Sequence, residues 1–299
     1  MTAVTGPVGA AQATIAKPRR RGVLGRWPVH VVVIGLMIIW LMPTLGLFIN
    51  SFRPASEVSG SGWWTALAPP WDFTVSNYEH VLARNGLGDA FINSLFITIP
   101  STIIPVLVAA FAGYAFAWMD FPGKNVLFVL VVGLLVIPLQ STLIPVLKLF
   151  ASTGIAGTFL AVWLAHTGYG LPFAIYLLRN YMGGLPKEVF ESASIDRAGP
   201  ATAFFRLALP MSVPVIASLA IFQFLFVWND LLVALIYIGA TSAENLPLTV
   251  VVANLVSSVG GETHFLTAAA FITMALPLVV FLSLQRYFVR GITGGAVKG

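Results

Sequence analysis

Asp230 stands in "FQFLFVWNDLLVAL", an apolar run that is otherwise free of charge. Leaving a bare carboxylate in hydrocarbon is expensive, so Asp230 must face a partner or a water-filled cavity. Gln223, Trp228 and Asn229 place two amides and an indole beside it. A carboxylate and amides can bond hydroxyl groups, and an aromatic face can stack on a ring, so this set can hold a polyhydroxylated ligand. The same carboxylate can instead tie its segment to a neighbouring helix or to a second subunit. His166, followed by "TGYGLP", adds a second polar position inside an apolar run. A Gly and Pro interruption there frees backbone carbonyls and can line a pathway, or it can be a kink packed against a neighbour. Asn93 and Ser94 suit interhelical hydrogen bonds better than ligand contacts.

A different chemistry is gathered in "PKEVFESASIDRAGP", residues 186–200. Pro186 suits the first turn of a helix, and Glu188 near that end favours the helix dipole. Leu185, Val189, Phe190 and Ala193 can then share one apolar side, while Lys187 and Glu191 stand four apart and can pair. A second short helix is expected from Pro200, with Gly199 supplying a permissive turn before it. Ala201, Phe204, Phe205 and Ala208 line one face of it before Pro210. Two such helices with exposed aromatics and carboxylates fit a protein partner, or a membrane-surface hairpin that only connects two spans.

Catalytic chemistry finds no support. The chain has no cysteine, which excludes a disulfide scaffold, a thiolate metal site and a cysteine nucleophile. No Gly-x-x-x-x-Gly-Lys run exists, and the nearest stretch, "FPGKN" at 121–125, lacks the first Gly and the hydroxyl. His30, His80, His166 and His264 have no metal-ligand spacing, and no nucleophile elbow occurs.

The elements that must carry these groups follow from composition. The chain is 58% hydrophobic and 9% charged, with a mean hydropathy of +0.91, too little polar surface to cover a soluble core. Runs of about 20 apolar residues, the length that crosses a bilayer as a helix, predict six spans near 29–51, 90–119, 126–147, 158–182, 211–238 and 265–289. No ten-residue alternation of the barrel kind is present. Of the sixteen Lys and Arg, only Arg53, Arg84 and Lys148 fall on the side opposite the N-terminus. The rest lie in the basic tail of residues 1–28, at Lys124, Arg179, Lys187, Arg197 and Arg206, and near the C-terminus. This asymmetry places both termini and the 183–210 loop in the cytoplasm. The net charge of +5 is thus a topology signal and not a nucleic-acid footprint. The first span reads as an uncleaved anchor, and no fixed-period repeat is visible. The segments around 61–80 and 241–264 are too polar to span.

"ESASIDRAGPATAFFRLALP" resembles the signature of the membrane subunits of ATP-binding-cassette importers: Glu-Ala-Ala, a Gly six residues after the Glu, then aliphatic-x-Leu-Pro. Glu191, Ala193, Asp196, Leu207, Leu209 and Pro210 fall on that pattern. Ser192 replaces the first Ala, and Arg197 stands where the Gly is expected. If that residue needs a left-handed backbone, a non-glycine costs on the order of 1 kcal/mol, and Gly199 can take over the turn. "FINSLFITIP", "GYAFAWMDFPGK", "QSTLIPVL", "FVWNDLLVAL" and "LQRYFVRGITGGAVKG" are similar to the carbohydrate branch, the last to the second permease of maltose-type systems, with the fifth and sixth spans nearest α-glucoside permeases.

The resemblance implies an all-α, polytopic type I importer permease that pairs with a homologous second permease in the bacterial inner membrane. Two cytoplasmic ATPase subunits would use ATP and magnesium, this chain binding no cofactor. An extracytoplasmic sugar-binding protein would deliver the sugar, with the 241–264 segment, including Glu244 and Glu262, helping to receive it. Loop 183–210 would be the coupling helix. Phe190, Glu191, Ser192, Ala193, Asp196, Arg197, Gly199 and Phe204 carry its contact, with Glu191 central. Gln223, Trp228, Asn229, Asp230, His166 and Asn93 are the candidates for the substrate pathway. An ion- or proton-coupled carrier with Asp230 as coupling group is the alternative, and it leaves the charged loop unexplained. A non-transporting scaffold accounts for neither Asp230 nor the 167–172 interruption.

Overall fold

A computed structural model describes residues 27–84, 86–239, 242, 244–258 and 263–296, the side chains of 84, 257, 258 and 287–296 excepted. The rest of the basic tail, Thr241, Glu262 and Lys298 lie outside the described residues. The chain divides into two compact units, Met1–Leu47 and Phe48–Gly299. In the first, helix α1 (Trp27–Ser51) begins, and almost all its side chains are exposed, Trp40 at 84%. A helix apolar all round suits lipid on every side.

The second unit opens with a polar segment organised by one guanidinium. Arg53, 2% exposed, donates to Asn50 Oδ1, Glu57 Oε2, Ser61 Oγ and Thr65 Oγ1 at 2.6–3.4 Å. Five fixed N–H donors on one side chain can gather that many acceptors. They fold α2 (Ala55–Gly60) and the turn Trp63–Leu67 into a cap. Asn77, at the start of α3 (Ser76–Arg84), clamps it by donating to the Ser51 and Arg53 carbonyls, both at 2.9 Å.

Of the six expected spans, four are single helices long and apolar enough to cross a membrane: α1, α4 (Leu87–Trp118), α7 (Phe159–Gly183) and α14 (Thr263–Ala296). The third and fifth are not the continuous helices that the sequence predicts. Helix α5 (Lys124–Gly133) with its 3-10 turn Leu134–Val136 meets α6 (Leu139–Ser152) at 103°. Pro138 explains the corner, because it disfavours helical backbone at Ile137, whose ψ is 118°.

The loop helix α8 (Lys187–Ile195) is followed by α9 (Pro200–Ala203), a π-helical turn Phe204–Ala208 and α10 (Leu209–Met211). This run bends by 73° into α11 (Val213–Trp228). The fifth span is interrupted again after Trp228, and α12 (Leu232–Ala234) leads into a second π-helical turn, Leu235–Gly239. Helix α13 (Leu248–Ser258) then precedes α14. The interruption expected in the fourth span does not occur, since α7 runs unbroken through Gly168, Gly170 and Pro172. Gly170 serves close packing instead: a Cβ there would lie 2.7 Å from Gln223 Oε1.

The core is the α4–α7 pair, with α11 against both. Gly113 lets α4 and α7 approach so closely that an added Cβ would sit 2.9 Å from Leu178 Cβ. Proline provides a second packing device. Each Pro inside a helix leaves the carbonyl four residues earlier without its helical donor. The carbonyl of Phe96, freed by Pro100, accepts from Trp163 Nε1 at 2.8 Å. That of Ser101, freed by Pro105, accepts from Gln223 Nε2 at 3.2 Å. That of Thr273, freed by Pro277, accepts from Trp228 Nε1 at 2.9 Å. In hydrocarbon no water can make these bonds, so each freed carbonyl anchors an interhelical clamp.

Candidate functional site

Two sites contain the candidate residues, one at the charged loop and one at the interruption of the fifth span. In the loop, Pro186 precedes α8 and Lys187 and Glu191 both stand exposed, with no ion pair between them among the described contacts. The helix ends in a Schellman pattern, with Ala198 N–H donating to the Ala193 carbonyl at 2.9 Å and Arg197 N–H to that of Ser194 at 3.0 Å. That pattern requires a left-handed residue, and it is Arg197 itself, at φ 58°. Gly199 does not take over the turn; it is extended, at φ −70°, ψ 165°, ahead of Pro200.

Phe190 and Phe204 turn inward. Phe190 stacks on Trp118 with ring centroids 3.9 Å apart, and Trp118 donates its indole N–H to the Met182 carbonyl. Phe204 stacks on Phe111 at 4.7 Å and tilts on Tyr114 at 5.3 Å. They root the loop on α4, leaving Glu191, Ser192, Asp196 and Arg197 on the outer surface and Ala193 half-buried. Ile195, 82% exposed, is an outward residue that the sequence reading missed. Its signal was present: in "KEVFESASI" it is the aliphatic that falls off the stripe of Val189, Phe190 and Ala193.

At the second site, α11 ends at Asn229 and the chain reaches α12 through Asp230 and Leu231. The Asp230 carboxylate accepts from Val233 N–H at 3.4 Å and Ala234 N–H at 3.0 Å. A side chain that bonds amides just ahead competes with helix continuation, so the interruption falls where the sequence places Asn-Asp. His166 on α7 is fully buried, its Nε2 3.7 Å from Asp230 Oδ2. Thr249 Oγ1, on α13, donates to the Asp230 carbonyl at 2.6 Å.

The structure thus brings His166, Gln223 and Asp230 to one junction of α4, α7 and α11, where the Gln223 amide lies 3.5 Å from the His166 carbonyl. Trp228 is only 2% exposed, held between Phe91 and Phe224, and shows no free ring face to a ligand. Asn93 donates to the carbonyls of Glu244 and Leu246 in the turn before α13, and Ser94 Oγ accepts from Leu248 N–H at the start of α13 at 2.8 Å, so both tie α4 to that segment. Asn229 borders a cavity of about 500 Å³, walled also by Leu231, Thr249 and residues of α14 such as Thr273 and Met274, and Asn93 borders a second of about 350 Å³ beside Glu244 and Leu246. Among the described residues no group of His, Asp and Glu can hold a metal ion.

Four apolar helices and two bent helix pairs have the length and composition to cross a membrane several times, and the second unit holds a buried polar junction of α4, α7 and α11. Residues 15–294 match the family described as binding-protein-dependent transport system inner membrane component, and the chain belongs to that family. It is 56% identical to the osmoprotective compounds uptake permease protein GgtD of Synechocystis sp., over 91% of this chain and 92% of that one. It is 41% identical to the alpha-glucoside transport system permease protein AglG of Rhizobium meliloti, over 94% and 99%. In fold it is similar to a chain in the crystal structure of a bacterial ABC transporter involved in the import of the acidic polysaccharide alginate. That match has a TM-score of 0.74 at 18% identity, over 91% of this chain and 99% of that chain. The chain is therefore a transport permease subunit with the importer-permease fold, and this reading is favoured over an ion- or proton-coupled carrier.

Proposed function

We propose that this chain is one permease of a bacterial ATP-driven sugar importer, taking an α-glucoside or a related disaccharide across the cytoplasmic membrane by alternating access. The observation that carries the reading is the similarity along nearly the whole chain to an alpha-glucoside transport permease, at 41% identity, and to an uptake permease for osmoprotective compounds, at 56%. A homologous second permease completes the pathway, and an extracytoplasmic sugar-binding protein delivers the substrate to the outer face near Glu244. Two cytoplasmic ATPase subunits bind ATP and magnesium, and this chain binds neither. Both chain termini lie in the cytoplasm.

In this account the 183–210 loop is the lever. Glu191 is the central contact with the ATPase, flanked by Ser192, Asp196, Arg197 and Ile195 on the exposed side. Phe190 and Phe204, through their stacks on Trp118 and Phe111, pass the displacement to α4. Because α4 and α7 pack closely at Gly113, a push on the loop is passed from one to the other, and the broken spans are where the motion can be taken up. The pathway wall includes Asn229, Leu231 and Thr249. A mild-detergent pull-down of the tagged chain from its native membrane tests the assembly. Co-purification of an ATPase and a second permease, with loss of the ATPase from Glu191→Ala, supports it. A chain that purifies alone and still transports contradicts it.

A further inference from the structure

Neither glycine nor proline lies at the interruption Asn229–Leu231. What holds it is Asp230. Both carboxylate oxygens are turned to protein: Oδ1 to the Val233 amide, and Oδ2 to the Ala234 amide and to His166 on another helix. The main-chain carbonyl is taken by Thr249. The side chain is 12% exposed, and it is the residues on either side, Asn229 and Leu231, that border the cavity with Thr249. Two of the carboxylate's roughly four acceptor sites are taken by the Val233 and Ala234 amides, and the largely buried group is absent from the cavity lining while its neighbours are in it.

We propose that Asp230 is a positioning residue for transport: its carboxylate holds the interruption of the fifth span, and through it the wall made by Asn229, Leu231 and Thr249, without contacting the sugar. The inference rests on the reading of the chain as a sugar permease. It separates capping ability from charge. Asn and Ser accept from helix N-terminal amides nearly as well as Asp, and Ala cannot.

The test compares Asp230→Asn, Asp230→Ser and Asp230→Ala in the complete importer, reconstituted with its binding protein and an α-glucoside and normalised to assembled complex. Asn and Ser are expected to keep maximal uptake within about threefold of the parent with KM unchanged, while Ala loses about tenfold, the size of a lost cap. Equal losses in all three, or a KM shift in Asn, would make the carboxylate a ligand or a coupling group and overturn the proposal. Normal uptake by Ala overturns it as well. If Ala does not assemble, Asn and Ser decide alone, a tenfold loss in either being fatal.

A second readout needs no sugar. The chain has no cysteine, so Leu231→Cys introduces its only thiol. Ala at position 230 should change the rate at which that thiol is labelled, and Asn and Ser should not. Identical rates in all backgrounds sink the idea. If the labelling order holds but no form of the importer, the parent included, moves α-glucosides, the sugar reading has failed and the positioning role stands.

Discussion

Trp228→Phe tests the proline clamps. The substitution keeps an aromatic ring between Phe91 and Phe224, whose centroids lie 5.5 and 5.8 Å from that of Trp228, and removes the N–H that donates to the Thr273 carbonyl at 2.9 Å. That carbonyl has no helical donor because position 277 is Pro. Stranding a buried acceptor costs roughly 1–3 kcal/mol. Interhelical bonds within membranes average nearer 0.6 kcal/mol, so about 1 kcal/mol is expected here. Pro277→Ala restores an N–H that can close the α14 bond to Thr273, making the indole donor redundant. In that background Trp228→Phe should therefore cost no more than a few tenths of a kcal/mol, a coupling of about 1 kcal/mol between two positions that exchange no hydrogen bond with each other. The assay is reversible unfolding of the assembled permease in lipid–detergent mixtures, run on the four members of the cycle. Costs that add to within about 0.3 kcal/mol would refute the clamp. Trp228 would then be only a packed ring.

Gly113→Ala should destabilise the assembled permease by roughly 1–3 kcal/mol, because the new Cβ meets the α7 backbone region at Leu178; Gly168→Ala, with nothing within 4 Å, should leave stability unchanged or raise it by about 0.5–1 kcal/mol, and thermal unfolding of both reads the difference. Arg197→Gly removes the Cβ from a left-handed backbone position, where a non-glycine costs about 1 kcal/mol. Amide exchange across 187–200 should slow in the assembled importer, and unchanged or faster exchange argues against strain at that residue. Phe190→Ala deletes the stack on Trp118 and should leave ATP hydrolysis running while uptake falls, measured as sugar moved per ATP consumed; an unchanged ratio removes Phe190 from the transmission path.

Much of this architecture is legible in the sequence because a bilayer imposes one length and one hydropathy on every crossing. The charged loop stands out for the same reason, and its helix boundaries at Lys187 and Pro200 follow from ordinary capping rules. Breaks are harder to read. "TGYGLP" looks like an interruption and is not one: α7 runs through it, and Gly170 lets Gln223, in a distant segment of the chain, pack closely. "VIPLQ" and "WND" are interruptions, the first through Pro138 and the second through a carboxylate that bonds amides ahead of it.

The candidate site shows the same division. Sequence places His166 and Asp230 in spans, but only the packing of α7 on the fifth-span interruption brings them to 3.7 Å. Trp228 and Gln223 read as ligand groups from type alone. Their donors go instead to carbonyls that Pro277 and Pro105 release on other helices, a pairing that needs both partners' registers. At position 197 the importer pattern expects a Gly, and Arg197 does hold the left-handed backbone there, while Gly199 does not take over the turn.

The most direct test of the central claim is α-glucoside uptake into proteoliposomes holding this chain, its second permease, the ATPase and the binding protein, driven either by ATP or by an imposed proton gradient, with Glu191→Ala alongside. The account predicts uptake only with ATP and binding protein together, and its collapse in Glu191→Ala despite normal incorporation of the permease into the membrane. Uptake driven by the proton gradient without ATP, or Glu191→Ala transporting at the parent rate, would contradict it.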